Sequence, residues 1–215
     1  MAEIAKEQLL YPVGVDDLFI TMMTKVDTVN SEPEYDIKIW RLPNIVKMDI
    51  KGNGTTKDKW ASNKLFKRVS RQTQHELSLD HVSFPVELWD KMNDKTSKKG
   101  VAFTTTEVKE MPFFGLGFIG PLSDGHNSAV WYPRVQVSNA EEHSYETTEE
   151  EIEIKDISCS MMATGLLLNN VLYSDFNSAR ETATELDVTT FMKQVIFDES
   201  QLETITDPVD LKKGG

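Results

Sequence analysis

Pro112-Phe113-Phe114-Gly115-Leu116-Gly117-Phe118-Ile119-Gly120-Pro121 and Ser128-Ala129-Val130-Trp131-Tyr132-Pro133-Arg134-Val135-Gln136-Val137 flank a polar segment, residues 122–127, that holds Gly125 and Asn127. Two aromatic-rich apolar runs of strand length around such a segment predict a long β-hairpin. Nothing else in the chain is apolar for as long, so this pair is expected in the middle of a sheet. Gly115, Gly117 and Gly120 also satisfy the G-x-G-x-x-G spacing of a dinucleotide-binding turn. That turn needs a helix N-terminus after the last glycine, where backbone amides meet phosphate. Here Pro121 and a polar loop follow, and the next strand begins too soon for a βαβ crossover. The glycines are therefore read as thinning a strand where a large side chain or another backbone packs close.

The chain has 215 residues, 39% of them hydrophobic and 27% charged, which suits a globular protein able to bury a core without staples. No run approaches a membrane span, and the polar leader Met1-Ala2-Glu3-Ile4-Ala5-Lys6-Glu7 is unlike a signal peptide, so synthesis in a cytoplasm is expected. The single cysteine, Cys159, lies in an apolar alternating run and reads as a buried free thiol. The net charge of −12 is unevenly placed. Residues 36–74 hold ten basic and three acidic side chains, whereas residues 139–210 hold three basic and seventeen acidic. Blocks of opposite sign suit self-association, a basic face on one copy meeting an acidic face on the next; two ordinary solvated faces would give the same blocks.

Residues 18–24 predict a first strand, residues 27–35 a polar loop broken at Pro33, and residues 37–48 an apolar run interrupted at Pro43. Residues 49–70 read as a long basic loop with Trp60 isolated in it, a composition that suits a binding surface. It is no phosphate-binding loop, because Gly54 precedes Thr55 and no Gly-Lys-Ser/Thr ending exists. Residues 71–82 alternate, with Thr73, His75, Leu77, Leu79 and His81 on one side, as in a strand with one face towards solvent. Six residues of strand separate His75 from His81 by roughly 20 Å, so they cannot share a metal ion. Leu88, Trp89 and Met92 recur at helical spacing, which predicts one helix over about 83–93, capped by Ser83, with that face on the core. Residues 101–110 are expected to resume a strand.

Beyond the central hairpin, residues 145–157 alternate, with Glu149, Glu151 and Glu153 on one face and Ile152 and Ile154 on the other. A row of like charges repels itself and stays where water or a partner tolerates it; a solvated edge that discourages aggregation would show the same row. Residues 157–161 continue the strand pattern, residues 166–173 predict a second hairpin turning at Asn169 and Asn170, and Asp187 or Thr189 suits the cap of a short helix carrying Phe191, Met192 and Val195. These readings give a mainly β fold, an antiparallel β-sandwich or open barrel with one flanking α-helix, over residues 1–197, followed by a polar C-terminal arm, 198–215.

No converging chemistry appears. Ser123-Asp124-Gly125-His126 supplies serine, acid and base, but a four-residue turn cannot place the base between nucleophile and orienter. The chain is read as non-enzymatic, with no cofactor or metal. Its residues instead resemble a known family. Residues 115–125, reading Gly-Leu-Gly-Phe-Ile-Gly-Pro-Leu-Ser-Asp-Gly, with Ala129-Val130-Trp131-Tyr132-Pro133, residues 168–176, residues 196–202 and the opening Gly14-Val15-Asp16-Asp17-Leu18-Phe19-Ile20 are similar to major tail proteins of long-tailed bacteriophages of Gram-positive bacteria.

The resemblance implies a structural subunit of the virion tail, made in the host cytoplasm. In that family hexameric rings of β-sandwiches stack into a tube around a tape-measure protein, between tail terminator and distal tail proteins. Double-stranded DNA passes through the lumen without sequence-specific binding, and no membrane is involved. A conduit for DNA works best with an anionic wall, because each cationic contact would add counterion-release affinity and friction. Glu149, Glu151 and Glu153 are the candidate lumen residues, and Lys51, Lys57, Lys59, Trp60, Lys64, Lys67 and Arg68 the candidate inter-subunit contacts. Two competitors are a carbohydrate- or receptor-binding β-sandwich using Trp60, Trp131 and Tyr132 as an aromatic platform, and a nucleic-acid module using residues 36–74.

Overall fold

A computed structural model of the chain describes residues 9–138 and 156–205. β1 (Leu18–Lys25), β2 (Glu34–Tyr35), β3 (Trp40–Leu42), β4 (Ile45–Gly52), β5 (Thr55–Ala61), β6 (Lys64–Arg71) and β7 (Gln74–His81) precede helix α1 (Val86–Met92). β8 (Ser97–Lys98), β9 (Val101–Ala102), β10 (Phe114–Pro121), β11 (Asn127–Val137), β12 (Ile157–Thr164) and β13 (Ser174–Asn177) follow, then the short helices α2 (Val188–Phe191) and α3 (Ser200–Thr204). The fold is mainly β, a large antiparallel sheet with few helices, and α1 is its flanking helix.

The sheet runs β2-β1-β10-β11-β12-β7-β4, with β3 on β1 and β13 on β11. Only Pro43 and Asn44 separate β3, at one end of this path, from β4 at the other, so the chain itself forces the sheet to curl. The curl encloses one core: Leu18, Ile20, Leu77, Leu79, Phe114, Leu116, Tyr132, Val135 and Met161, closed by Leu88 and Met92 of α1. The opposite face of β1, β10 and β11 carries a second core of Phe19, Trp131, Leu166, Phe176, Phe191, Met192 and Val195 to Phe197. Covered on both faces, these strands show continuous apolar runs where an edge strand would alternate.

Two glycines of β10, Gly115 and Gly117, serve this second core. A Cβ on Gly117 would lie 2.7 Å from both Met192 and the Trp131 ring, and one on Gly115 2.7 Å from Val195. β11 needs a bulge: Phe114 faces Val135 but Leu116 faces Tyr132, so Pro133 and Arg134 absorb an extra residue. This shift lets Ala129 and Trp131 serve the outer core and Tyr132, Val135 and Val137 the inner one. Arg134 tucks beneath the sheet beside Asp27 at 3.2 Å, and its guanidinium lies over the Phe113 ring at 4.1 Å.

Several expectations need correction. Pro85, not Ser83, occupies the position before α1, and no side chain caps that helix, because a proline ring offers no acceptor to the first-turn amides; the Pro85 carbonyl accepts the first helical bond from the Trp89 amide at 3.0 Å. Only Val101 and Ala102 of residues 101–110 are in a strand; residues 103–110 are exposed and unpaired with the sheet. Residues 166–173 form a tight turn with Asn170 at φ 59°, but the strand after it pairs with β11, so no second hairpin closes on β12. Asp187 does cap α2, accepting from the Thr190 amide at 2.6 Å. Residues 198–205 dock on the body, since the Gln201 side chain accepts from the Phe197 and Asp198 amides and donates to the Val195 carbonyl at 3.0 Å.

Candidate assembly interface

The basic stretch read as a loop is a β-hairpin arm. β5 and β6 pair only with each other, and every residue from 51 to 73 is exposed. The arm continues the β4–β7 pair beyond the barrel wall. Its root is fixed by Asn53, whose Oδ1 accepts from the Thr73 and Gln74 amides at 3.0 and 3.1 Å and whose Nδ2 donates to Thr73 Oγ1 at 2.8 Å. Just inside, Gly52 lies opposite His75, whose Nδ1 is 2.8 Å from the Tyr132 hydroxyl. Burial pushes the His75 pKa down and the Tyr132 phenol up, so both are neutral at physiological pH. The arm therefore springs from a hydrogen-bonded root backed by a neutral His75–Tyr132 pair.

At the tip, Ser62 and Asn63 have φ of 51° and 59°, the signature of a two-residue type I′ turn. Such a turn matches the twist of the flanking strands and sets the register Trp60 to Leu65, Asp58 to Arg68 and Lys57 to Val69. Asp58 and Arg68 form a two-pronged ion pair at 2.8 and 2.9 Å, which lowers the carboxyl pKa and raises the guanidinium's. Trp60 is 62% exposed and Phe66 75% exposed, values that a lone monomeric arm has no folding reason to keep.

Lys57, Lys59, Trp60, Lys64, Lys67 and Arg68 thus share one projecting element, and Lys51 stands at its root opposite Glu76. Leu65, Phe66, Val69 and Arg71 belong to the same surface and were missed by the sequence reading; Ser62-Asn63 between two runs of β-compatible residues was the available signal. Glu149, Glu151 and Glu153, with the acidic strand expected around them, lie outside the described residues. Trp131 and Tyr132 are buried in the two cores and cannot form an aromatic platform with Trp60.

The free sheet edges add to this surface. Among the described residues, β4 pairs on one side only, with β7, and exposes Val46 and Ile50. An edge of this length offers unpaired backbone donors and acceptors.

Ser123 to Gly125 make a 3-10 turn with Asp124 at φ 62°, and His126 faces Ser178 Oγ at 3.2 Å. His81, at the far end of β7 from His75, packs its ring against Phe84 in a tilted contact, centroids 4.0 Å apart. Among the described residues no group of three or more His, Cys, Asp or Glu could hold a metal ion, and no helix is long and apolar enough to cross a membrane. Surface clefts of about 720 Å³ and about 450 Å³ lie around Phe103 to Lys109 and around Arg41 and Met192. Neither a scan of protein-family models nor a search of curated proteins gives a match.

Proposed function

We propose that this chain is the structural subunit of a bacteriophage tail tube, assembling as hexameric rings that stack into a hollow conduit for DNA around a tape-measure protein. The observation that carries the reading is the arm of residues 55–71: seventeen consecutive exposed residues that contribute nothing to either core. Natural proteins shorten, cover or charge their edges when they act alone. This one extends a ribbon with Trp60 and Phe66 uncovered, as a subunit does when neighbours supply the missing contacts. The one-sided edge of β4 fits lateral closure between copies, and the arm fits contact with an adjacent copy or ring. The likeness of residues 115–125 and 129–133 to major tail proteins supports the same reading.

In such a tube the arm's cations belong outside the bore, because duplex DNA sliding past lysines would be held by counterion release. The chemistry of passage is then the absence of affinity. Electron microscopy of concentrated full-length protein, paired with native mass spectrometry, tests the proposal. Hollow rings or filaments are expected, built from multiples of the 24.4 kDa chain with six-fold symmetry. Monodisperse monomers at every concentration, with or without tape-measure protein, would rule it out.

A further inference from the structure

The arm has two chemically distinct faces. Its register places Thr55, Lys57, Lys59, Lys67, Val69 and Arg71 on one face and Thr56, Asp58, Trp60, Leu65, Arg68 and Ser70 on the other. The second face pairs its polar groups internally, Asp58 with Arg68 and Thr56 Oγ1 with Ser70 Oγ at 3.0 Å, while Trp60 lies opposite Leu65 and stays exposed. On the first face, Lys57, Lys59, Lys67 and Arg71 have no carboxylate partner among the described residues, and Lys59 sits directly opposite Lys67. Like charges directly opposite one another destabilise a ribbon that is marginal by itself in water. An anionic cover would remove that cost.

The chain carries such a cover in another segment. Residues 174–205 hold seven acidic and two basic side chains. Arg180 is taken by Asp175, Asp187 caps α2 and Asp198 binds Ser200, which leaves Glu181, Glu185, Glu199 and Glu203 exposed and, among the described residues, without a cation. Exposed Leu202 lies between the last two. This layer covers the outer faces of β1, β10 and β11, whereas the arm extends β4 and β7, and among the described residues no ion pair joins the two within one chain. From this we infer that the lysine face of the arm docks on the 181–203 acidic layer of a second copy. The contact is heterologous, head to tail, and repeats from copy to copy. It rests on the self-assembly reading and goes further by naming both faces. A nucleic acid is the poorer occupant, since a phosphate backbone drawn to the arm would also meet the acidic layer of the same chain.

Exposed pairs of this kind set register and association rate more than affinity and weaken as salt screens them. The full chain is compared with Lys57→Glu/Lys59→Glu/Lys67→Glu, with Glu181→Lys/Glu185→Lys/Glu199→Lys/Glu203→Lys, and with both sets combined, by sedimentation and microscopy. Each set alone is expected to cut the assembled fraction about tenfold at low salt, the combined chain to recover it, and monomer melting to stay unchanged. If the wild type assembles while the glutamate-reversed chain does so equally well, or the combined chain recovers nothing, the docking is wrong and the tube reading stands. If the wild type does not assemble, carbodiimide coupling of mixed isotope-labelled and unlabelled chains decides the docking separately. Inter-copy links from residues 57–67 to residues 181–203 uphold it, and their absence overturns it. Duplex DNA binding that the lysine reversal abolishes, with no inter-copy link, also overturns it.

Discussion

Hairpins β10–β11 and β5–β6 are the same local object, two antiparallel strands joined by a short turn with positive φ, placed in opposite surroundings. The first is covered on both faces, and its side chains supply members of both cores. The second is covered on neither. Burial of a large apolar side chain contributes about 1.5–3 kcal/mol, so the central hairpin anchors the monomer while the arm adds little to it. What the arm contributes is reach, an internally paired face and an unpaired cationic face. One pairing geometry thus serves folding in one place and is free to serve assembly in the other.

The contrast can be broken most easily at Trp131, fully buried and donating from Nε1 to the Phe191 carbonyl at 3.0 Å. Trp131→Ala is expected to cost about 3–5 kcal/mol, read as a fall of roughly 10 °C in the melting midpoint; Trp60→Ala on the arm should leave that midpoint where it is. Equal losses at the two sites would erase the distinction. Next in size is Gly117→Ala, where the added methyl meets the Trp131 ring and Met192. A loss of about 1–3 kcal/mol is expected by chemical denaturation, against no measurable change for Gly54→Ala, which meets open space at the arm's root.

A smaller effect is expected with pH. Burial lowers the pKa of both His75 and His81, and at His81 it outweighs the nearby Ser83 backbone, Asp80 and Asp156, which favour the protonated form. Below about pH 6.5 the unfolded chain takes up protons that the folded chain resists. Stability is therefore present above that value and declines as pH falls through it. Neither His81 ring nitrogen has a well-aligned partner, so His81→Leu should gain on the order of 1 kcal/mol and flatten the decline. A steeper decline in the variant would show that the imidazole is protonated in the fold. Smallest of all is Asp58→Asn on the arm, which removes an exposed ion pair. It should leave monomer melting between pH 4 and 8 superimposable on wild type, and any resolved shift would mean the arm shares in the monomer's stability.

The central hairpin, the first strand, the alternation of β7 and the core-facing side of α1 were legible because burial imposes a period on sequence. At His75, Leu77, Leu79 and His81 every second residue points inwards, and the pattern says so. The arm has no buried face, so its strands follow from backbone pairing and the Ser62-Asn63 turn alone, and no hydrophobic period announces them. Its cationic composition was visible, but not the division of those charges between two faces, which depends on a register set by a two-residue turn. The Asn169-Asn170 turn was legible through Asn170's tolerance of positive φ, whereas the next strand pairs with β11, Phe176 opposite Ala129, a partner remote in sequence that no local pattern announces.

Deleting residues 55–71 tests the division of labour most directly, because Gly54 and Gln72 then form a two-residue loop closed by the existing bond between Asn53 and Thr73. Analytical ultracentrifugation and thermal melting of this chain beside the wild type should show an unchanged melting midpoint and complete loss of higher-order species. Assembly at wild-type levels, or a deleted chain that no longer folds, would contradict the account.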